Sequence, residues 1–173
     1  RGGGGATRKV TGTVRVACVG DSITFGAGIR DRRNKAYPVQ LNKLLGNGWD
    51  VRNYGVSART MLKRGDHPIW REGKYRQAKE FKPHAVVIKL GTNDTKPHNW
   101  KHKGEFAADT RAMVKEFQAL ESKPLVFLCR PVPAFPERWG ISDERIRNEV
   151  IPLINQVAKE TGATVIDLYT PFI

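Results

Sequence analysis

The stretch VRVACVG-DSIT, residues 14–24, decides the predicted fold. Apart from Arg15, Val14–Gly20 has apolar or small residues at consecutive positions rather than alternate ones, which is typical of a strand covered on both faces of a parallel sheet. Asp21 and Ser22 follow this strand directly. The sequence therefore predicts a sharp turn from a buried strand into a helix, with Ser22 at the junction.

Strand and helix signals alternate along the rest of the chain. This alternation predicts an α/β protein, a three-layer α/β/α sandwich with a five-stranded parallel sheet, whose reactive loops follow the carboxyl ends of the strands. Pro152 lies inside the last helical stretch and predicts a kink or break there. The further β-rich runs are residues 50–54, 85–90, 125–129 and 164–168, and the apolar helical stripes are Tyr37, Leu41, Leu44 and Leu45; Phe106, Thr110, Met113, Phe117 and Leu120; and Ile146, Val150, Ile154 and Val157.

Length and composition predict one globular domain. The chain has 173 residues, of which 39% are hydrophobic, and a mean hydropathy of −0.48; these values exclude disordered, collagenous and disulfide-rich chains. No apolar run approaches the ~20 residues of a transmembrane helix. Residues 1–11 contain four consecutive glycines and predict a flexible linker or cloning remnant, so the predicted domain spans 12–173. The first ten residues lack the apolar segment of a signal peptide, and the sequence leaves the compartment open.

The net charge of +13 lies almost entirely in the first hundred residues, which carry 20 basic and 7 acidic side chains. A basic surface of this kind is compatible with an acidic glycan or with nucleic acid. No RNP, zinc-finger, KH or helix-turn-helix signature accompanies the charge, so nucleic acid is the weaker of these two predicted partners.

Two cysteines, Cys18 and Cys129, lie inside apolar strand-like runs and predict small buried side chains. There is no CxxC motif and no Cys/His cluster, so the sequence predicts neither a metal nor another cofactor. If the strand order is 2-1-3-4-5, one strand separates the two cysteines by roughly 9.6 Å, beyond disulfide reach. Both thiols are then expected to be free.

Three consecutive strand ends carry residues suited to acyl transfer. Ser22 is either an exposed nucleophile or a helix cap. Gly55 lets a ligand approach a main-chain N–H donor, or else forms a turn. Asn93 presents an amide that could stabilise an oxyanion, or forms an Asx turn. Because the three follow neighbouring strands, they predict one site.

The segments GDSIT at 20–24, NYGVS at 53–57 and GTND at 91–94 resemble the first three motif blocks of the SGNH (GDSL-type) esterase superfamily. The similarity extends over nearly the whole chain after the linker, including residues 89–100 and 139–172, and is strongest to bacterial GDSL-type esterases related to sialate O-acetylesterases. It implies a flavodoxin-like fold and hydrolysis of a small acyl ester, with acetyl the expected group. By this resemblance Ser22 is the nucleophile, and the Ser22 and Gly55 amides and the Asn93 side chain form the oxyanion hole.

The fourth block of that family, a D-x-x-H segment with the general base, does not occur in this sequence. His67, His98 and His102 follow the second and third strands, and solvated loop histidines are the simpler interpretation of all three. We therefore expect a domain truncated before its closing helix, a degenerate domain that binds esters or sugars, or a segment donated by another chain. Activity is expected to be impaired. An uncovered sheet face would favour dimerisation or swapping.

Tryptophans recur in the loops beyond the second, third and fourth strands: Trp70, Trp100 and Trp139. They are either platforms for sugar rings or buried loop anchors. Arg130 either meets an acidic substituent or pairs with a carboxylate. The sequence thus predicts an esterase acting on an acetylated or acidic carbohydrate, with a catalytically dead carbohydrate-binding domain and a basic nucleic-acid-binding module as the alternatives.

Overall fold

A computed structural model describes residues 12–173, and the linker predicted at 1–11 lies outside the described residues. Five strands form one parallel sheet in the order β2-β1-β3-β4-β5. The prediction of five parallel strands is confirmed, and each predicted boundary lies within one residue of the observed one. The strands are β1 (Val14–Gly20), β2 (Trp49–Gly55), β3 (Ala85–Lys89), β4 (Leu125–Arg130) and β5 (Thr164–Asp167).

The helices alternate with the strands along the chain, as the sequence pattern predicts. The predicted break at Pro152 takes the form of a π-helical turn, Ile146–Val150, which stands directly before the helix that contains this proline. Single 3₁₀ turns occur at Ile69–Arg71, Asn93–Thr95, Lys103–Glu105 and Thr170–Phe172. The α-helices are α1 (Ser22–Phe25), α2 (Arg32–Lys35), α3 (Tyr37–Leu45), α4 (Gly73–Glu80), α5 (Pro97–Trp100), α6 (Phe106–Gln118), α7 (Asp143–Arg145) and α8 (Ile151–Thr161). Within residues 12–173 none of them has the length and apolar character needed to cross a bilayer.

The main core lies between one face of the sheet and helices α4, α6 and α8. Alternate residues of the central strands face it, such as Ala17 and Val19 of β1, and Met113 and Phe117 of α6 are completely buried against them. Burial of side chains of this size contributes about 1.5–3 kcal/mol each. This core fixes the central strands, whose carboxyl ends carry the predicted site.

Helix α3 covers the opposite face of the sheet near β1 and β2, where Tyr37 lies against Cys18. The apolar stripe predicted for this helix is wrong at Leu44, which is 83% exposed, because the helix packs on the edge strand β2 and its last turn has no further strand to cover it. On the same face Val87 and its register partner Phe127 are only half-buried. Self-association through this partly covered face remains a prediction.

Cys18 and Cys129 are free and buried, on β1 and β4, with β3 between them, as predicted. Burial raises the pKa of both thiols to about 12. They are therefore neutral structural side chains at ordinary pH, and not nucleophiles.

Close contact between β2 and α1 explains the glycine at the end of β2. A Cβ atom on Gly55 would lie 2.4 Å from the main-chain nitrogen of Phe25, which cannot move without displacing α1. The side chain of Asn53 joins the same two elements, because its Nδ2 donates to Thr24 O at 2.7 Å and its Oδ1 accepts from Gly55 N at 2.8 Å. The end of β2 thus sets the position of the short helix that begins at Ser22.

Replacement of Gly55 by alanine is expected to lower the free energy of unfolding by about 1–3 kcal/mol, because the added methyl group overpacks a main-chain contact. Gly104→Ala is the matched control, since no atom lies within 4 Å of a Cβ built there, and a change within about 0.5 kcal/mol is expected. Urea unfolding of the three proteins measures the difference. Equal stability of Gly55→Ala and Gly104→Ala would contradict this account of Gly55.

Candidate active site

Ser22 is the first residue of α1 and lies where β1 ends. Asp21 caps the helix by accepting a hydrogen bond from Ile23 N at 3.3 Å. The Ser22 side chain is partly exposed, and within residues 12–173 its hydroxyl and its amide have no hydrogen-bond partner. It opens into a cavity of about 200 Å³, which is lined by Ser22, Ile23, Thr92, Val132, Pro133, Ala134, Phe135, Pro136, Arg138, Trp139 and Ile141.

A buried lysine joins the loops that carry Ser22 and Asn93. Lys89, the last residue of β3, has no exposed surface. Its Nζ lies 3.1 Å and 3.2 Å from the two carboxylate oxygens of Asp21 and 3.0 Å from Thr92 Oγ1. Asp21 precedes Ser22, and Thr92 precedes Asn93. One ammonium group therefore fixes the main chain next to both predicted site residues.

Asn93 is 5% exposed and connects the β3 loop to the loop after β2, because its Nδ2 donates to Arg59 O at 3.1 Å. Asp94 makes a second connection, since its two carboxylate oxygens accept from Met61 N at 3.1 Å and Leu62 N at 2.7 Å. Burial raises the pKa of the Asp94 carboxyl to about 7, although both amides act to lower it. The two side chains thus hold the β2 and β3 loops together.

The structure gives the Gly55 amide a different partner from the one that the sequence predicts. This amide already donates to Asn53 Oδ1, so it would have to break that bond to reach an oxyanion. Ala58, three residues later, has a φ of 65°, which is uncommon for a residue other than glycine. Within the described part of the chain its amide has no acceptor, and its neighbour Arg59 is the residue that Asn93 contacts.

None of the three loop histidines lines the cavity beside Ser22. His98 Nε2 lies 2.9 Å from Asp66 Oδ2, and its side chain is 57% exposed. Burial acts to raise the pKa of Asp66, but hydrogen bonds from His98 and Asn99 outweigh it and lower this pKa. His102 lies 3.9 Å from Glu105, and the main-chain carbonyl oxygen of His67 accepts a hydrogen bond from Thr60 N. Residues 12–173 therefore place no histidine base at the Ser22 hydroxyl.

Two of the three loop tryptophans anchor their loops through hydrogen bonds, whereas the side chain of the third is exposed to solvent. Trp70 donates to Met61 O at 2.7 Å, and Trp100, 5% exposed, donates to Glu149 at 3.0 Å. Trp139 is 78% exposed and lines the Ser22 cavity. Arg130 pairs with the Asp167 carboxylate at 3.3 Å, the second of the two interpretations that the sequence left open.

Among residues 12–173, no three His, Cys, Asp or Glu side chains lie close enough together to bind one metal ion.

Sequence reasoning missed Lys89, Asn53 and Asp94, whose side chains bind the loops that carry the predicted site residues. The signal for Lys89 was present, because a lysine inside the apolar run of β3 needs a buried carboxylate partner. Asn53 and Asp94 gave no comparable signal, because polar residues after a strand are common in ordinary turns.

Lys89→Met is expected to destabilise the protein by about 3–5 kcal/mol, because it leaves the Asp21 carboxylate buried and unpaired. The double variant Asp21→Asn/Lys89→Met removes that charge, keeps a side-chain oxygen at the helix cap, and should be more stable than Lys89→Met alone. Arg64→Met breaks the exposed pair with Glu105 and serves as control, with stability nearly unchanged. Thermal unfolding of the four proteins checks this. A double variant less stable than Lys89→Met would contradict the assigned pairing.

Known proteins resemble this chain in sequence and in fold. An acetylxylan esterase from Xylanibacter ruminicola is 44% identical over 173 residues, covering 90% of this chain and 36% of that protein, so the chain spans about a third of its relative. The fold matches an inhibitor-bound aryl esterase from M. smegmatis (TM-score 0.71, 20% identity, 90% of this chain and 84% of that one). It equally matches a carbohydrate acetylesterase from Sinorhizobium meliloti (TM-score 0.71, 21% identity, 90% and 84%). Residues 18–173 match the model of the GDSL-like lipase/acylhydrolase family, and the chain belongs to that family.

Proposed function

We propose that this chain hydrolyses small acyl esters, namely acetyl esters of a carbohydrate, with Ser22 as the nucleophile. The observation that carries the proposal is the Ser22 hydroxyl, which has no partner within residues 12–173 and opens into a cavity beside the Asn93 loop. Cys18 and Cys129 are no alternative nucleophiles, because both are buried and neutral. The family and the acetylxylan esterase relative support the same reaction.

In the proposed reaction the Ser22 oxygen attacks the ester carbonyl carbon, and the carbonyl electron pair moves onto oxygen to give a tetrahedral oxyanion. Collapse of this intermediate breaks the bond to the sugar oxygen, which takes up a proton and leaves as the alcohol. Water then attacks the acyl-serine, releases acetic acid and restores the Ser22 hydroxyl. A base must carry the serine proton to the leaving oxygen, and within residues 12–173 the cavity supplies no histidine for this role.

For the oxyanion we propose three donors: the Ser22 amide, the Asn93 side-chain amide and a main-chain amide of the loop after β2. In that loop the Ala58 amide is the better donor than the Gly55 amide, because Gly55 N is bound to Asn53 Oδ1 whereas Ala58 N has no partner in residues 12–173. The left-handed conformation of Ala58 costs of order 1 kcal/mol, and such strain is typical of active sites. Each donor of this kind contributes about 2.7–4 kcal/mol to the transition state.

A carbohydrate-binding domain without catalysis is the second candidate. The specific observation in its favour is the cavity beside Ser22, which no histidine of residues 12–173 lines. It predicts sugar binding without covalent capture of Ser22.

Two measurements test the proposed function: acetate release from acetylated xylan, and covalent labelling by a fluorophosphonate. We expect slow acetate release and labelling by the wild type, and loss of both in Ser22→Ala, because removal of the oxygen removes the nucleophile. Ser57→Ala is the matched control, since it deletes another serine hydroxyl in the loop after β2 and should keep both properties. Labelling that persists in Ser22→Ala would contradict the role of Ser22. Absence of both properties from the wild type would favour the second candidate.

A further inference from the structure

Trp139 lies at the mouth of the Ser22 cavity with most of its indole surface in solvent. It is 78% exposed, whereas Trp70 and Trp100 use their ring N–H groups to anchor loops. Its φ of 54° is a rare conformation for a bulky residue and costs of order 1 kcal/mol. Neither burial nor a hydrogen bond within residues 12–173 explains why an aromatic side chain is held here. An exposed indole in the wall of a cavity offers a flat apolar surface on which a ligand can stack.

Arg138, next to Trp139, also lines the cavity, and within the described residues it forms no ion pair. Arg130, by contrast, is neutralised by Asp167. The adjacent acidic residue, Glu137, is turned to the main chain and accepts from Asp143 N at 3.2 Å. Among residues 12–173, no acidic side chain lines the cavity. Its wall therefore presents one positive charge without a counter-ion of its own.

Further positive charge lies close to α1. The Arg32 guanidinium stacks over the ring of Phe25, 3.9 Å from its centroid, and Phe25 ends the helix that begins at Ser22. Arg30, Arg33 and Lys35 are exposed in the same segment, and among residues 12–173 none of them has an ion-pair partner. Asp31, the acidic residue of this segment, binds the side-chain amide of Asn34 at 3.0 Å. The segment that follows α1 in the chain is therefore basic as well.

We propose that Trp139 and Arg138 form a subsite for a sugar that bears a carboxylate, next to the sugar whose acetyl ester meets Ser22. This rests on the proposed function and adds the substrate class: an acetylated glycan with uronic acid substituents. The aliphatic C–H face of a sugar packs on the indole ring, which buries apolar surface at little entropic cost. The guanidinium binds the carboxylate through paired charge-assisted hydrogen bonds.

Binding tests this subsite without need of catalysis. Ser22→Ala is titrated calorimetrically with two xylo-oligosaccharides of equal length, one unbranched and one with a single 4-O-methylglucuronic acid branch. We expect about tenfold tighter binding of the acidic oligosaccharide, the value of one charge-assisted interaction. In the Ser22→Ala background, Arg138→Gln should abolish the preference, and Trp139→Ala should weaken the binding of both ligands about three- to tenfold.

Matched controls separate the subsite from general charge and aromatic effects. Arg71→Gln removes another exposed arginine, one that does not line the cavity. Trp49→Ala removes a partly exposed tryptophan at the start of the edge strand β2, and Trp49 does not line the cavity. In the Ser22→Ala background, both control variants should bind the two oligosaccharides with the same affinities as Ser22→Ala alone. Equal affinity for the two oligosaccharides, no binding of either, or an effect of Arg71→Gln equal to that of Arg138→Gln would overturn the subsite. A wild-type protein that fluorophosphonate does not label would instead count against the proposed function.

Discussion

The ion pair between Lys89 and Asp21 is the interaction on which the rest of the site depends. A charged lysine at the end of a buried strand is costly unless its ammonium group is fully paired, and here it reaches both oxygens of Asp21 and the hydroxyl of Thr92. Because these partners directly precede Ser22 and Asn93, the requirement to pair one buried charge determines where both residues lie. Stability and site geometry therefore have the same origin.

Side-chain hydrogen bonds fix the loop after β2 at both of its ends. Asn53 ties the end of β2 to α1. Asn93 and Asp94 tie the following residues to the β3 loop, at Arg59 and at Met61 and Leu62. The segment between these attachments contains Ala58, whose strained conformation persists because both of its flanks are fixed. This arrangement explains how the proposed site, which is built on three loops, can be preorganised.

The sequence predicted the sheet well because its signals are local and repeated. The apolar runs of β1 and β3 could fit few other elements, and Cys18 and Cys129 were correctly placed on separated strands. It predicted Ser22 and Asn93 as site residues because both follow buried strands. It could not predict that Asn53 would occupy the Gly55 amide, since that bond depends on the local turn. It also could not separate Trp139 from Trp70 and Trp100, because burial of a loop tryptophan is decided by tertiary packing.

We propose that three N–H donors converge on the oxyanion that forms when Ser22 attacks an ester, and a crystal structure of the protein inhibited by a fluorophosphonate tests this arrangement. We expect phosphorus bonded to Ser22 Oγ, with the phosphoryl oxygen within hydrogen-bond distance of Ser22 N, Asn93 Nδ2 and Ala58 N. A phosphoryl oxygen that points into solvent, or phosphorus on another side chain, would contradict it.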